Sequence, residues 1–217
     1  MRELIVGSFI TLDGVMQAPG GPEEDPSGGF EHGGWSFGYW DEQMQEAMGQ
    51  WMSEPYDLLL GRKTYEIFAA YWPHTDEPPA EDYNKATKYV ASTTLKDLEW
   101  ENSHLIEGDV AEGIRALKQE DGPALSVPGS ANLIQTLLEH KLVDEFRLMI
   151  FPLVLGTGKR LFDGGTVPDG LEVTNSQTSS TGVIIATYRP GADIKYGSFA
   201  ADEPSEAEQA RRAAQEG

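Results

Sequence analysis

The feature that most constrains the fold of this chain is a direct junction between a predicted strand and a predicted helix within residues 56–71. The apolar run Tyr-Asp-Leu-Leu-Leu predicts a buried strand, and it stops at Gly61. Arg62, Lys63 and Thr64 follow directly and open a helical pattern. The junction places backbone N–H groups, a hydroxyl and two cations at one point, an arrangement that suits a phosphate.

The same order of strand and helix recurs along most of the chain. Strands are predicted at 2–10, 56–60, 87–91, 104–106, 124–127 and 143–154, and helices at 39–53, 62–71, 109–119 and from about 130 onward. This alternation through residue 140 predicts a largely parallel sheet with helices on both faces. Two late strands, near 171–178 and 182–189, are expected to form an antiparallel pair at its edge. Residues 17–38 and 74–82 are predicted loops, the first of a length typical of a lid or binding loop.

Charge and residue usage restrict the class of protein. The chain carries 16 Lys and Arg against 36 Asp and Glu, a formal net charge of −20, so nucleic acid and anionic membranes repel it. Cysteine is absent and the four histidines lack paired-ligand spacing, so we predict no metal site. No apolar stretch approaches the roughly 20 residues of a membrane helix. Without a signal-peptide pattern either, the expected location is the cytoplasm.

Apolar periodicity is lost near residue 190. We therefore expect one domain over residues 1–190 and an acidic, polar tail over residues 191–217 that is partly disordered. Within the tail, residues 206–216 could form a polar helix.

Three predicted strand ends share one chemistry. Residues 61–64 and residues 129–132 each follow a strand and open a helix, and Ser92 and Thr93 follow a third strand. In open α/β sheets, ligands bind beyond the carboxyl ends of the strands, where helix N-termini and glycines accommodate a pyrophosphate. A turn, a helix cap or a surface ion pair explains each site singly, but the three together favour a ligand.

The residues predicted to bind this phosphate-bearing cofactor are Gly61, Arg62, Lys63, Thr64, Ser92, Thr93, Gly129, Ser130, Ala131 and Asn132. Arg62 or Lys63 would neutralise an additional phosphate, such as the 2′-phosphate of NADP.

A proton donor and a substrate pocket are also predicted. Asp13 follows the first strand at the same end of the sheet and could donate a proton or orient the substrate, although an Asp-Gly turn explains it equally well. Thr11, Trp35, Trp40 and Asp41 are assigned to the substrate pocket. For the tryptophans the alternative is packing in the core or in the loop, and for Asp41 it is helix capping.

Several motifs follow one another in a fixed order over residues 2–189. They are Thr11-Leu12-Asp13-Gly14, Leu60-Gly61-Arg62-Lys63-Thr64-Tyr65-Glu66, Tyr71-Trp72-Pro73, Ser92-Thr93-Thr94-Leu95, Gly129-Ser130-Ala131-Asn132-Leu133, Leu142-Val143-Asp144-Glu145 and the run from Pro152 to Phe162. The set resembles the dihydrofolate reductase-like family that includes the C-terminal reductase domain of the bifunctional riboflavin biosynthesis protein. This resemblance implies a three-layer α/β/α fold with a central mixed, mostly parallel sheet. It also implies a homodimer and NADPH as the hydride donor.

The resemblance implies a reductase but leaves its substrate open. Riboflavin-type members reduce the ribose of a phosphorylated aminopyrimidine, 5-amino-6-(5-phosphoribosylamino)uracil, and dihydrofolate reductases reduce a pterin ring. We therefore expect NADPH-dependent reduction of a C=N or C=O bond in a heterocyclic substrate. Basic residues suited to a substrate phosphate are scarce away from the cofactor motifs. A non-catalytic dimer that binds a nucleotide or small ligand is the main alternative, and a hydrolase or transferase using Ser92 or Ser130 is another.

Overall fold

The computed structural model of the chain describes residues 1–199 and 204–215. Within them the strands are β1 (Leu4–Thr11), β2 (Tyr56–Gly61), β3 (Lys88–Ala91), β4 (Ser103–Leu105), β5 (Ala124–Pro128), β6 (Glu145–Phe151), β7 (Leu171–Thr178) and β8 (Ile184–Pro190). The α-helices are α1 (Glu42–Trp51), α2 (Arg62–Tyr71), α3 (Ala80–Lys85), α4 (Val110–Gln119), α5 (Ala131–Glu139) and α6 (Glu206–Ala213).

These strands form one sheet in the order β4-β3-β2-β5-β1-β6-β8-β7. Every pairing among β1 to β6 is parallel, so these six strands run in the same direction. β8 is antiparallel to both of its neighbours, β6 and β7. The predicted mixed, mostly parallel sheet is confirmed, and so is the late antiparallel pair.

One face of the sheet packs against α4 and α5. Side chains alternate between the two faces of a strand. Leu4 and Val6 of β1 accordingly share one buried cluster with Ile114 of α4 and with Ile134 and Leu137 of α5. These two helices form the first outer layer.

The opposite face is covered in two separate places. Met44 of α1 packs against Met149 and Phe151 of β6. Tyr65 of α2 packs in another cluster with Leu58 of β2. α1 therefore covers one side of this face and α2 covers the other, which completes the three-layer α/β/α arrangement.

Between α1 and α2, the part of this face formed by β1 and β5 lies open. Gly7 of β1 and Ala124 and Ser126 of β5 face this gap. A Cβ atom built on Gly7 would have no heavy atom within 4 Å. Small side chains thus leave space above the centre of the sheet.

A buried ion pair lies at the amino ends of β1, β2 and β5, opposite the ends from which α2 and α5 begin. Arg2 is only 3% exposed and pairs with Asp57 of β2. Its Nε–H also donates to the carbonyl of Pro123, just before β5, at 2.7 Å. Because the loss of either partner would leave a buried, uncompensated charge, this pair holds the start of the chain against β2 and β5.

Most of the predicted elements are confirmed, with differences at their ends. The helix predicted at 62–71 coincides with α2, and Asp109 caps α4 by accepting the N–H of Glu112 at 2.9 Å. The loop predicted at 74–82 is wrong over its last residues, because α3 begins at Ala80, directly after Pro79. Pro79 is the residue before this helix, and since proline has no N–H it leaves no donor unpaired at the helix start.

The carboxyl-terminal segment contains α6, and residues 200–203, 216 and 217 lie outside the described residues. The division into a domain of residues 1–190 and a partly disordered tail stays a prediction. The homodimer also stays a prediction; β7, whose residues are all exposed, forms one edge of the sheet. None of the described helices is both long and apolar enough to cross a membrane.

Candidate functional site

The site begins at a switch point in the sheet. β2 and β5 are parallel neighbours, yet the chain leaves β2 into α2 on one face and leaves β5 into α5 on the other. Two helices that diverge from adjacent strands open a crevice at the carboxyl ends of those strands, where ligands of α/β proteins bind.

The hydroxyl of Ser130 joins the two strand ends across this crevice. It accepts the N–H of Gly61 at 2.9 Å and donates to the Thr64 hydroxyl at 2.8 Å. A Cβ atom at Gly61 would lie 3.3 Å from the Cβ of Ser130, so glycine allows this close approach. Ser130 itself has a left-handed φ of 73° and follows Gly129 at 88°. Non-glycine residues rarely adopt such a φ, and they do so mostly where the surroundings enforce it.

Both helices at the crevice start without a side-chain cap. Gly61 precedes α2 and offers no side chain, and Ser130 precedes α5 but makes no capping hydrogen bond. Helix capping, one explanation of Ser130 from the sequence, is therefore not its role. An uncapped helix N-terminus presents backbone N–H groups and a positive dipole end, which favour an anion.

Two cations stand on the first turn of α2. Arg62 and Lys63 both pair with Glu66, at 3.2 and 3.7 Å, and all three side chains are well exposed. Exposed ion pairs of this kind contribute only about 0–1 kcal/mol. Glu66 therefore holds neither cation firmly, and both remain available to an anionic ligand.

A single cavity of about 1230 Å³ brings the predicted cofactor residues together. Those that line it are Gly61, Arg62, Lys63, Thr64, Ser92, Thr93, Gly129, Ser130, Ala131 and Asn132. At the end of β3, the Ser92 hydroxyl accepts the N–H groups of Thr94 and Leu95, which shapes a tight turn. The cavity continues from these strand ends into the gap between α1 and α2.

Asp13 lies outside the residues that line this cavity. Its carboxylate accepts the Thr11 hydroxyl at 2.6 Å and the N–H of Gly156 at 2.8 Å, and Arg160 lies 3.6 Å away. The Thr11 hydrogen bond and the backbone N–H groups lower the pKa of Asp13 to about 2. A carboxylate that is ionised at neutral pH has no proton to give. Its contacts instead join the turn after β1 to the loop after β6.

The four residues predicted for the substrate pocket also lie outside the cavity lining. Thr11 is buried and belongs to the Asp13 turn. Trp35 donates its indole N–H to a loop carbonyl and packs in the core, whereas Trp40 is 46% exposed. Asp41 caps α1 by accepting the N–H of Met44 at 3.0 Å. Capping, which the sequence left as the alternative for Asp41, is the role that the structure gives it.

A loop that the sequence marked only by its length covers part of the cavity. We call residues 17–27 the roof loop; Gln17, Glu24 and Asp25 of this loop line the cavity, together with Lys159. Lys159 pairs with Asp25 at 2.5 Å, and its N–H donates to the Gln17 amide oxygen at 3.0 Å. These contacts fix the roof loop to the segment after β6.

Glu24 is the carboxyl group of the roof loop that lines the cavity without making an ion pair among the described residues. Its Oε2 accepts the N–H of Gly20 at 2.7 Å and of Gly21 at 3.2 Å. Burial raises the pKa of Glu24 above its ordinary value, against the effect of these two bonds. Glu24 thus combines contact with the cavity and a carboxyl group that keeps its proton more readily than usual.

The far end of the cavity is mainly apolar. We call the part over β1 and β5 the inner arm; its lining residues are Ile5, Gly7, Phe9, Met48, Trp51, Met52, Tyr56, Ile67, Phe68, Ala124, Ser126 and Arg147. No motif in the sequence marks these residues as a group, because they come from six separate segments of the chain.

Comparisons with known proteins give a family match over most of the chain. Residues 2–185 match the family model described as the RibD C-terminal domain. An uncharacterized protein of Bacillus subtilis, YyaP, is 29% identical over 196 residues, which cover 86% of this chain and 94% of that protein.

Two solved structures share the fold at low identity. The putative riboflavin biosynthesis protein from Shewanella sp. PV-4 has a TM-score of 0.61 and 20% identity, over 88% of this chain and all of that one (100%). Dihydrofolate reductase from Enterococcus faecalis, solved with NADP(H) and RAB-propyl, has a TM-score of 0.56 and 13% identity, over 88% of this chain and 97% of that one. These likenesses establish a dihydrofolate reductase-like fold.

The two hydrogen bonds of the Ser130 hydroxyl, to Gly61 and Thr64, form what we call the Ser130 bridge. Its removal should lower the stability of the protein measurably. Ser130→Ala removes the acceptor of the Gly61 N–H and the donor to Thr64, so the free energy of unfolding should fall by about 1–2 kcal/mol. Urea denaturation followed by circular dichroism measures this change.

Ser126→Ala is the matched control, because among the described residues its hydroxyl has no hydrogen bond. We expect it to change the free energy of unfolding by less than about 0.5 kcal/mol. Equal stability of Ser130→Ala and the unaltered chain would show that the bridge does not hold the strand ends.

Proposed function

The chain belongs to the RibD C-terminal domain family, and from that premise we propose that it is an NADPH-dependent reductase acting on a C=N or C=O bond of a heterocyclic substrate. The observation that carries this proposal is the convergence of the three strand-end motifs on one cavity at the switch point. The same cavity continues into the inner arm, which offers a second ligand the space beside the first.

The residues at the switch point suit the pyrophosphate of a dinucleotide. The uncapped N-termini of α2 and α5 supply backbone N–H groups. Gly61 and Gly129 carry no side chain that would obstruct the approach, and the Thr64 and Ser130 hydroxyls lie beside them. When bound, NADPH would supply the hydride. The protein would position NADPH beside the substrate, and the roof loop would exclude water from the cavity.

Arg62 and Lys63 are proposed to distinguish NADPH from NADH. A 2′-phosphate carries the charge that NADH lacks, and guanidinium and ammonium groups at a strand end are suited to it. If Arg62 and Lys63 turned from Glu66 to the phosphate, Glu66 would become an unpaired, exposed carboxylate, and the loss of such exposed ion pairs costs little free energy. This assignment is notable in a chain with a formal net charge of −20.

Glu24 is proposed as the proton donor in place of Asp13. The carboxyl groups that line the cavity, among the described residues, are Glu24, Asp25 and Glu54. Asp25 is paired with Lys159, and Glu54 precedes β2 at the amino end of the strands. The carbon of the substrate C=N bond would accept the hydride, and the nitrogen of that bond would accept the proton of Glu24. Water would then protonate the Glu24 carboxylate again. Both backbone bonds to Glu24 reach Oε2, which leaves Oε1 to carry that proton.

Cofactor preference is the first test of this proposal. Arg62→Ala should weaken NADPH binding about tenfold, which corresponds to about 1.4 kcal/mol, and should leave NADH binding within about twofold. Isothermal titration calorimetry measures both affinities.

Lys85→Ala is a control for the loss of one positive charge, because Lys85 is exposed, pairs with Glu81 and lies outside the cavity lining. An equal loss of NADPH and NADH affinity in Arg62→Ala would contradict the 2′-phosphate assignment. Binding of NADPH without consumption, over a panel of heterocycles, would favour the non-catalytic ligand-binding alternative.

The proton donor predicts a pH profile. Glu24 acts in its protonated form, and its pKa is raised, so kcat should be highest at low pH and should fall as the pH rises through that raised pKa. Glu24→Gln should lower kcat about 100-fold and remove this dependence, while NADPH affinity is retained. The readout is NADPH oxidation at 340 nm as the pH varies, with 7,8-dihydropterin as acceptor.

Glu23→Gln is the matched neighbour, since Glu23 lies in the same loop but outside the cavity lining. It should retain both the rate and the pH profile. An unchanged profile in Glu24→Gln would remove Glu24 from the mechanism.

A further inference from the structure

We propose that the inner arm selects an uncharged, flat ring compound and rejects substrates that carry a phosphate or carboxylate. This inference rests on the proposed function, because it concerns the second ligand of the same cavity. It names a substrate class that differs from the phosphorylated aminopyrimidine reduced by riboflavin-type reductases.

The shape of the inner arm suits a flat ring. Its floor is formed by Gly7, Ala124 and Ser126, none of which carries a large side chain. A Cβ atom placed on Gly7 would have no other heavy atom within 4 Å, so the space above this residue is empty. Trp51 on one side and Phe68 on the other present aromatic walls. A planar ring can lie on this floor between these walls, whereas a branched sugar phosphate gains little there.

The charge of the inner arm is already neutralised. Arg147 is the cation among its described lining residues. Its Nε–H donates to Glu145 Oε1 at 2.6 Å and its Nη1 donates to the carbonyl of Trp51 at 2.7 Å. Glu145 is buried and also pairs with Arg189 at 2.8 Å. The guanidinium is therefore fixed by the protein, and its charge is already balanced by a buried carboxylate.

The other cations of the cavity belong to the first turn of α2 and to the segment that holds the roof loop. Arg62 and Lys63 stand at the strand ends, and Lys159 is paired with Asp25. An anion in the inner arm would lose its hydration without gaining a counter-charge that the protein leaves unpaired there, and this disfavours its binding. Tyr56 adds an aromatic ring to the lining, and its hydroxyl is buried without a partner among the described residues.

A matched pair of probes tests this selection. 2-Naphthol and 2-naphthyl phosphate share one planar ring system and differ in the phosphate. With the strand-end site filled by saturating 2′,5′-ADP, 2-naphthol should quench tryptophan fluorescence with a dissociation constant at least tenfold lower than that of 2-naphthyl phosphate.

Variants that fill the inner arm with a larger side chain, which we call plugs, show whether 2-naphthol binds there. Ser126→Leu should reduce 2-naphthol affinity at least tenfold while 2′,5′-ADP affinity stays within twofold. Ala124→Leu, at the other end of the floor, is a second and independent plug, and circular dichroism checks that each variant is folded. Because the two variants are made separately, the test can still be done with one of them if the other fails to fold.

The outcomes separate this inference from the proposed function. The inference is overturned if 2-naphthyl phosphate binds as tightly as 2-naphthol and either plug abolishes that binding. It is also overturned if neither plug weakens 2-naphthol. Calorimetry with NADPH on the same protein is the separate test: failure to bind NADPH, with 2-naphthol still lost in the plugged variants, would overturn the reductase assignment and leave the selectivity of the arm standing.

Discussion

The site depends on one side chain, the hydroxyl of Ser130, placed between two strand ends. It accepts the Gly61 N–H and donates to Thr64, so it ties the start of α2 to the start of α5. Because that hydroxyl is engaged across the crevice, it does not cap its own helix. The left-handed backbone at Ser130 is the conformational cost of this arrangement. The result is a pair of uncapped helix N-termini at a switch point, where the fold already concentrates ligand binding.

The rest of the cavity follows from how the helices cover the sheet. α1 and α2 pack over opposite sides of one face, and small residues occupy the strands between them. The open strip joins the strand ends to the inner arm, so one continuous space can hold a cofactor and a second molecule. The roof loop covers the junction, fixed there by the Asp25–Lys159 pair. The strand-end region and the inner arm thus have different chemistry: cations and N–H groups lie in the first, and apolar walls and an ion-paired arginine lie in the second.

The sequence predicts the sheet and the strand ends well because those features are local. An apolar run that stops at glycine and continues as an amphipathic helix specifies its own geometry, and parallel strands bring such ends together. Asp13 shows where local reasoning ends. The Thr11 hydroxyl and the N–H of Gly156, 143 residues away, both donate to its carboxylate and lower its pKa, and the carboxylate lies outside the cavity lining. Only the Thr11 contact is local in the sequence. Glu24 could not be identified for the same reason, since the path of the roof loop depends on Lys159. Nor could the inner arm be foreseen, because it is defined by the absence of side chains at positions such as Gly7.

Whether the switch point between β2 and β5 holds NADPH is tested most directly by the structure of the complex. A crystal structure of the chain with NADPH should place the pyrophosphate against residues 61–64 and 129–132. The 2′-phosphate should lie beside Arg62 or Lys63, and the nicotinamide should face the inner arm. A cofactor bound elsewhere, or with its adenine end in the inner arm, would contradict the account.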